Sequence, residues 1–179
     1  MQKTDNREDG TQKDRPPVQG SNRSNGGRFE QELSHILSEN GFWCHVMQQN
    51  KAGQPADLIA VKGHYHTLID CKVISDDKGF PFERMEENQK LAMRMFHRKT
   101  GEQGYFAMKL PDGSIWLAAM EKLEVLSNSG RKRMKESEIR LCTWSLEAWL
   151  KAAEKRSGQD KVYYCPECGT KMTGGDVTE

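Results

Sequence analysis

The chain reads Gly53-Gln54-Pro55-Ala56-Asp57-Leu58-Ile59-Ala60-Val61 and then, past Lys62-Gly63, Thr67-Leu68-Ile69-Asp70-Cys71-Lys72-Val73. Two short apolar runs separated by a Gly-containing turn read as consecutive strands of a hairpin. A strand alternates faces with period two, so Asp70 and Lys72 project together while Ile69, Cys71 and Val73 project to the other side. Asp57 opens the first run directly after the Gly53–Ala56 loop, a strand-end position where a carboxylate can meet a ligand. The 13 residues from Asp57 to Asp70 suffice for a strand, a tight turn and a return strand. The two carboxylates are therefore expected side by side.

Outward from this hairpin the pattern is helix, three strands, helix, two strands, helix. Phe29, Leu33, Ile36 and Leu37 fall at i, i+4, i+7 and i+8 and Gly41 follows, which predicts an amphipathic helix from about Gly27. Phe42–Met47 adds a strand ahead of the hairpin. The spacing of Met85, Gln89, Ala92, Met93 and Phe96 predicts a second helix over 83–99, closed by Gly101 and Gly104. Tyr105–Lys109 and Ile115–Ala119 read as strands about a Pro111-Asp112-Gly113 turn, and Leu146–Lys155 as a closing helix.

The first 25 residues hold almost no aliphatic side chains and are expected to be a disordered polar arm, since they bury too little to offset the entropy of ordering. That leaves one domain over 26–157 and a tail over 158–179. The formal net charge of +1, from 27 Lys and Arg against 26 Asp and Glu, gives no whole-molecule field, so any affinity for nucleic acid must come from local patches. No apolar run approaches the roughly 18 residues of a membrane span, and no signal-peptide pattern opens the chain. A soluble, cytoplasmic protein with no membrane partner is expected. Five cysteines, odd in number and unlike a secreted disulfide framework, agree with a reducing compartment.

Two adjacent carboxylates form an oxygen-rich site suited to Mg2+ or Mn2+, which bind through one or two carboxylates and keep waters. A neighbouring lysine can hold a phosphate or position the attacking water. That is the chemistry of phosphodiester hydrolysis. Asp-x-Lys alone is a weak motif, and Asp76-Asp77-Lys78 repeats it in a turn-rich stretch that reads as a solvated loop. Taken singly, Asp70 with Lys72 also fits an ion pair across the face of an exposed strand, Asp57 a turn or cap residue, and Glu30 an acid favoured in the first turn of a helix.

Four motifs in order carry more. Arg23-Ser24-Asn25-Gly26-Gly27-Arg28-Phe29-Glu30 opens a helix, followed by Gly53-Gln54-Pro55-Ala56-Asp57, Ile69-Asp70-Cys71-Lys72 and Glu86-Glu87-Asn88-Gln89. Together, over about residues 23 to 110, they resemble the PD-(D/E)XK nuclease superfamily, and within it the RecU-type and archaeal Hjc-type Holliday junction resolvases. The resemblance implies an α/β fold of restriction-endonuclease style, with a mixed central sheet flanked by helices. It implies Asp57 and Asp70 as metal ligands, Lys72 as the catalytic lysine, Glu30 as an accessory acid and Gln89 as the residue that completes the site. The family more often has Glu where this chain has Asp70, a reach shorter by one methylene.

The implied function is metal-dependent endonucleolytic resolution of four-way DNA junctions in recombination or repair. Symmetric cutting takes two active sites, so a homodimer is expected. Alternatives are a nuclease of the same fold acting on flaps, single strands or foreign duplex, and a non-catalytic DNA-binding protein. Candidate phosphate contacts are Arg28, then Arg84, Lys90, Arg94, Arg98 and Lys99 along the second helix, and the loop cluster Arg131, Lys132, Arg133 and Lys135. Near the C-terminus Cys165-Pro166-Glu167-Cys168-Gly169 has the form of a zinc knuckle, supplying half of a tetrahedral shell. Cys142, His64 with His66, or a second subunit would have to supply the rest.

Overall fold

A computed structural model of the chain describes residues 22–48, 54–76, 78–158, 163–164 and 171–172. The long helix α1 (Asn22–Glu39) leads into strands β1 (Trp43–Val46), β2 (Leu58–Lys62) and β3 (Tyr65–Val73). Next come β4 (Phe80–Pro81), a 3-10 turn (Phe82–Arg84), α2 (Glu87–Thr100), β5 (Tyr105–Lys109) and β6 (Ile115–Ala119). Then α3 (Met120–Asn128), β7 (Arg133–Met134), α4 (Glu136–Cys142), β8 (Trp144–Ser145) and α5 (Leu146–Ser157) follow.

The six-stranded sheet has the order β1-β2-β3-β5-β6-β8. β3 and β5 pair in parallel, and every other neighbouring pair in this sheet is antiparallel. A parallel pair needs a crossover of a dozen or more residues, here the segment holding α2. The sheet is therefore mixed and flanked by helices, as expected. Phe29, Leu33, Leu37, Trp149 and Ala153 of α1 and α5 cover one face against Ile69, Cys71 and Ala107. Met93, Leu123, Ile139 and Met134 cover the other against Leu68, Phe106 and Met108. The faces divide β3 by alternation, with Ile69, Cys71 and Val73 toward α1 and α5.

Several boundaries depart from the sequence reading. α1 starts at Asn22, inside the stretch expected to be an arm and ahead of the expected start near Gly27. Two mid-helix glycines cost about 1 kcal/mol each, which the burial of Phe29, Leu33 and Leu37 offsets. The second helix starts at Glu87, because Gln89 forms a capping box with Glu86 and the segment before it is a 3-10 turn. The cluster expected as a loop instead contains β7, which pairs with β4 and buries Met134. Helices α3 and α4 lay outside the sequence reading.

Gly79 explains how β4 comes to lie against β7. Its φ is +82°, and a Cβ there would stand 2.2 Å from Met134 O, so only glycine lets the two backbones approach.

Tyr163–Tyr164 and Lys171–Met172 pair antiparallel as β9 and β10. Cys165 and Cys168 lie outside the described residues, as do residues 1–21.

Candidate active site

The centre forms where β2 begins and β3 continues past it. Pairing between the two ends at Leu58 with Ile69, and one further step of that register sets Asp57 opposite Asp70. The Asp57 backbone is held from both sides: its N–H donates to Ile69 O at 3.1 Å, and its carbonyl accepts from Met47 N–H at 2.8 Å. Its Oδ2 accepts from Cys71 N–H at 2.6 Å and its Oδ1 from Gln54 Nε2 at 2.5 Å. Asn88 Nδ2 in turn donates to Gln54 O at 3.0 Å, which ties this loop to the start of α2.

Asp70 is fully buried. Lys72 Nζ forms an ion pair with its Oδ2 at 2.8 Å, and its Oδ1 has no hydrogen-bond donor among the described residues. Burial pushes the Asp70 carboxyl up to about 7; the Asp57 carboxylate adds to the rise and Lys72 opposes it. A buried acceptor with no donor costs stability unless something else satisfies it. Two converging carboxylates, with Asp70 Oδ1 left without a donor among the described residues, fit a hard divalent cation that keeps several waters. Among the described residues no group of three or more His, Cys, Asp and Glu side chains stands ready for a metal.

Lys72 is held from three sides. Besides Asp70, its Nζ lies 3.5 Å from Gln89 Oε1 and 6.0 Å from the Phe106 ring centroid. Gln89 is buried, and its Oε1 also accepts from Glu86 N–H at 3.2 Å. It therefore caps α2 and faces the lysine at once. Glu30, half-buried on α1, has its carboxyl raised first by burial and then by Asp57, with Lys72 acting against the rise. The structure thus brings together all five residues named from the sequence: Asp57, Asp70, Lys72, Gln89 and Glu30. Gln54, Asn88 and the Cys71 N–H were missed; Gln54 and Asn88 sit inside quoted motifs, but only the fold shows what they touch.

The second Asp-x-Lys copy behaves as the loop it was read as: Asp76 is exposed and accepts from Lys78 N–H at 3.1 Å. The basic candidates divide. Arg94 bridges Glu87 and Glu124 at 2.8 and 2.9 Å, Lys90 pairs with Glu87 at 2.6 Å, and Arg131 is held by both oxygens of Glu138. Those side chains are engaged within the fold. Arg28, Arg98, Lys99, Lys132, Arg133 and Lys135 are exposed. Arg84 donates to Val73 O at 2.8 Å, close enough to Asp70 for that charge to act on it. Of the residues weighed as completing a zinc shell, Cys142 is exposed at the end of α4, while His66 is half-buried against Phe96, at 5.6 Å between ring centroids. No helix among the described residues is long and apolar enough to cross a membrane.

Comparison with known proteins follows the same lines. Residues 21–156 match the family model described as archaeal Holliday junction resolvase (Hjc). The solved structure of Archaeoglobus fulgidus Hjc, a Holliday junction resolvase from an archaeal hyperthermophile, is similar in fold, with a TM-score of 0.54. It is 23% identical over 71% of this chain and 96% of that one. No curated protein matches.

Proposed function

Because this chain belongs to the archaeal Holliday junction resolvase (Hjc) family, we propose that Asp57, Asp70 and Lys72 form the centre at which this nuclease cuts the arms of four-way DNA junctions. The observation that carries the site is the pairing of Asp57 with a buried Asp70 whose Oδ2 meets Lys72 Nζ at 2.8 Å and whose Oδ1 has no hydrogen-bond donor among the described residues. Asp57 and Asp70 would hold a divalent cation, Mg2+ or Mn2+. When bound, such an ion activates water and stabilises the developing charge on the phosphodiester oxygens.

The chain's own residues do the rest. Gln54 and the Cys71 N–H fix both oxygens of Asp57, so its carboxylate keeps one orientation as substrate arrives. Lys72 places its ammonium on the non-bridging phosphate oxygens, where charge grows in the transition state. Gln89 restrains that ammonium from the far side, and Glu30 borders the site as an accessory acid. Two such centres related by a two-fold axis would cut opposing strands symmetrically, which supports a homodimer as the acting form. DNA recombination and repair are the corresponding processes.

Purified protein with Mg2+ and end-labelled junction, flap and linear duplex tests this reading. Paired symmetric nicks confined to the junction are expected, and Asp57→Asn and Lys72→Ala each lower the rate by at least about 100-fold. Equal cleavage of all three substrates would overturn the junction preference, and an active Asp57→Asn would overturn the site.

A further inference from the structure

A cavity of about 560 Å3 opens beside the candidate centre, within the size range of ligand sites. Cys71 and Val73 form its floor, and these residues point to the face of β3 opposite Asp70 and Lys72. The cavity adjoins the centre on the side of Cys71, whose N–H holds Asp57. Among the described residues its rim carries Lys78, Arg84 and Arg133 against one carboxylate, Asp76. Arg84 stands nearest the centre, since it bonds Val73 O and feels the charge of Asp70.

Lys78 and Arg133 are exposed and have no carboxylate partner among the described residues, unlike Lys90, Arg94 and Arg131. A second, more open trough of about 680 Å3 shares Lys78 and Arg133 and continues to Lys135, with Glu136 in its lining neutralised by Arg140 at 2.6 Å. Gly79 sets the geometry, because its lack of a side chain lets the loop carrying Lys78 close onto the backbone beside Arg133. Two separate segments thus bring cations that have no carboxylate partner among the described residues to one groove that leads away from the two carboxylates.

We propose that this groove, from Arg84 through Arg133 and Lys78 to Lys135, is a second nucleic-acid site that takes the phosphodiester backbone of the cut strand beside the scissile phosphate. The inference rests on the nuclease reading of the Asp57–Asp70 centre. A row of cations without base-reading groups contacts phosphates and sets register along the strand, leaving sequence unread. Each phosphate neutralised releases counterion, so the groove contributes to the salt dependence of binding.

Junction binding by fluorescence anisotropy without divalent cation, over a series of salt concentrations, tests it. In the double variant Lys78→Gln with Arg133→Gln, both side chains being exposed, the slope of log K against log salt should shrink by about 1.8, and affinity should fall about tenfold or more. Lys78→Arg with Arg133→Lys should restore both. A neutral methylphosphonate beside the cleavage position should weaken binding of the natural chain and leave the double Gln variant unmoved. An unchanged slope and affinity in that variant overturn the groove, even where the natural chain cuts junctions normally. A natural chain that cuts no DNA overturns the nuclease reading instead, a result the metal-free binding series does not depend on.

Discussion

Asp57 Oδ2 takes the backbone N–H of Cys71 at 2.6 Å. β3 runs on to Val73 while its pairing with β2 ends at Ile69, so this carboxylate occupies a place on the strand edge that no strand fills. The same bond that finishes the sheet edge therefore aims Asp57 at Asp70.

Removing that acceptor leaves a buried donor unsatisfied. Asp57→Ala should destabilise the protein by about 1–3 kcal/mol in urea unfolding and abolish junction cleavage. Asp57→Asn keeps an oxygen for Cys71, so it should lose less stability and remain inactive. If the two variants unfold alike, the bond to Cys71 is not what Asp57 supplies to the fold.

The raised Asp70 carboxyl makes metal-free stability depend on pH. Its value rises from 3.8 to about 7 on folding, so between those limits the native state holds more proton than the unfolded chain. Stability then falls as pH rises through that window and is highest below it. Metal-free protein should melt lower at pH 8 than at pH 6, and Asp70→Asn should flatten the difference. Because a cation needs the ionised carboxylate, Mg2+ or Mn2+ should raise the melting temperature more at pH 8 than at pH 5.

Gln89 has two duties that substitutions can separate. Gln89→Ala removes the capping contact to Glu86 and should lower stability by about 1 kcal/mol while also reducing kcat. Gln89→Glu retains an acceptor for the cap but sets a third carboxylate near Lys72 and Asp70. Stability close to that of the natural chain with a changed pH profile of cleavage is the expected result; an unchanged kcat and pH profile in Gln89→Glu would show that only the cap matters.

Gly79 is predicted to be intolerant of any side chain. Gly79→Ala meets both a positive φ and the Met134 carbonyl, and should cost about 1–3 kcal/mol from the backbone conformation alone. Separating β4 from β7 moves Lys78 away from Arg133, so junction affinity should fall more than the cleavage rate at saturating DNA. Equal stability in thermal melts would show that the loop relaxes without strain.

Much of this was legible along the chain because it is local. Period-two alternation alone put Asp70 and Lys72 on one face of β3, and apolar spacing alone marked Phe29, Leu33 and Leu37 as the buried side of α1. Neither α3 nor α4 was legible. They are short, and what holds them is burial of Leu123 and Ile139 in a core assembled from distant strands. The basic cluster around Arg133 read as a loop for the same reason, since a two-residue strand exists only through its partner.

By itself the sequence determined how Asp70 and Lys72 alternate on β3 and that Asp57 lies within reach of them, because strand periodicity acts over neighbouring residues. Tertiary structure decided what those groups meet. Burial strips water from Asp70, the end of β2 leaves Cys71 N–H for Asp57, the capped start of α2 presents Gln89 to Lys72, and the seat of Gly79 gathers Lys78 with Arg133. Each of these depends on contacts between segments far apart in the chain, and no local pattern encodes them.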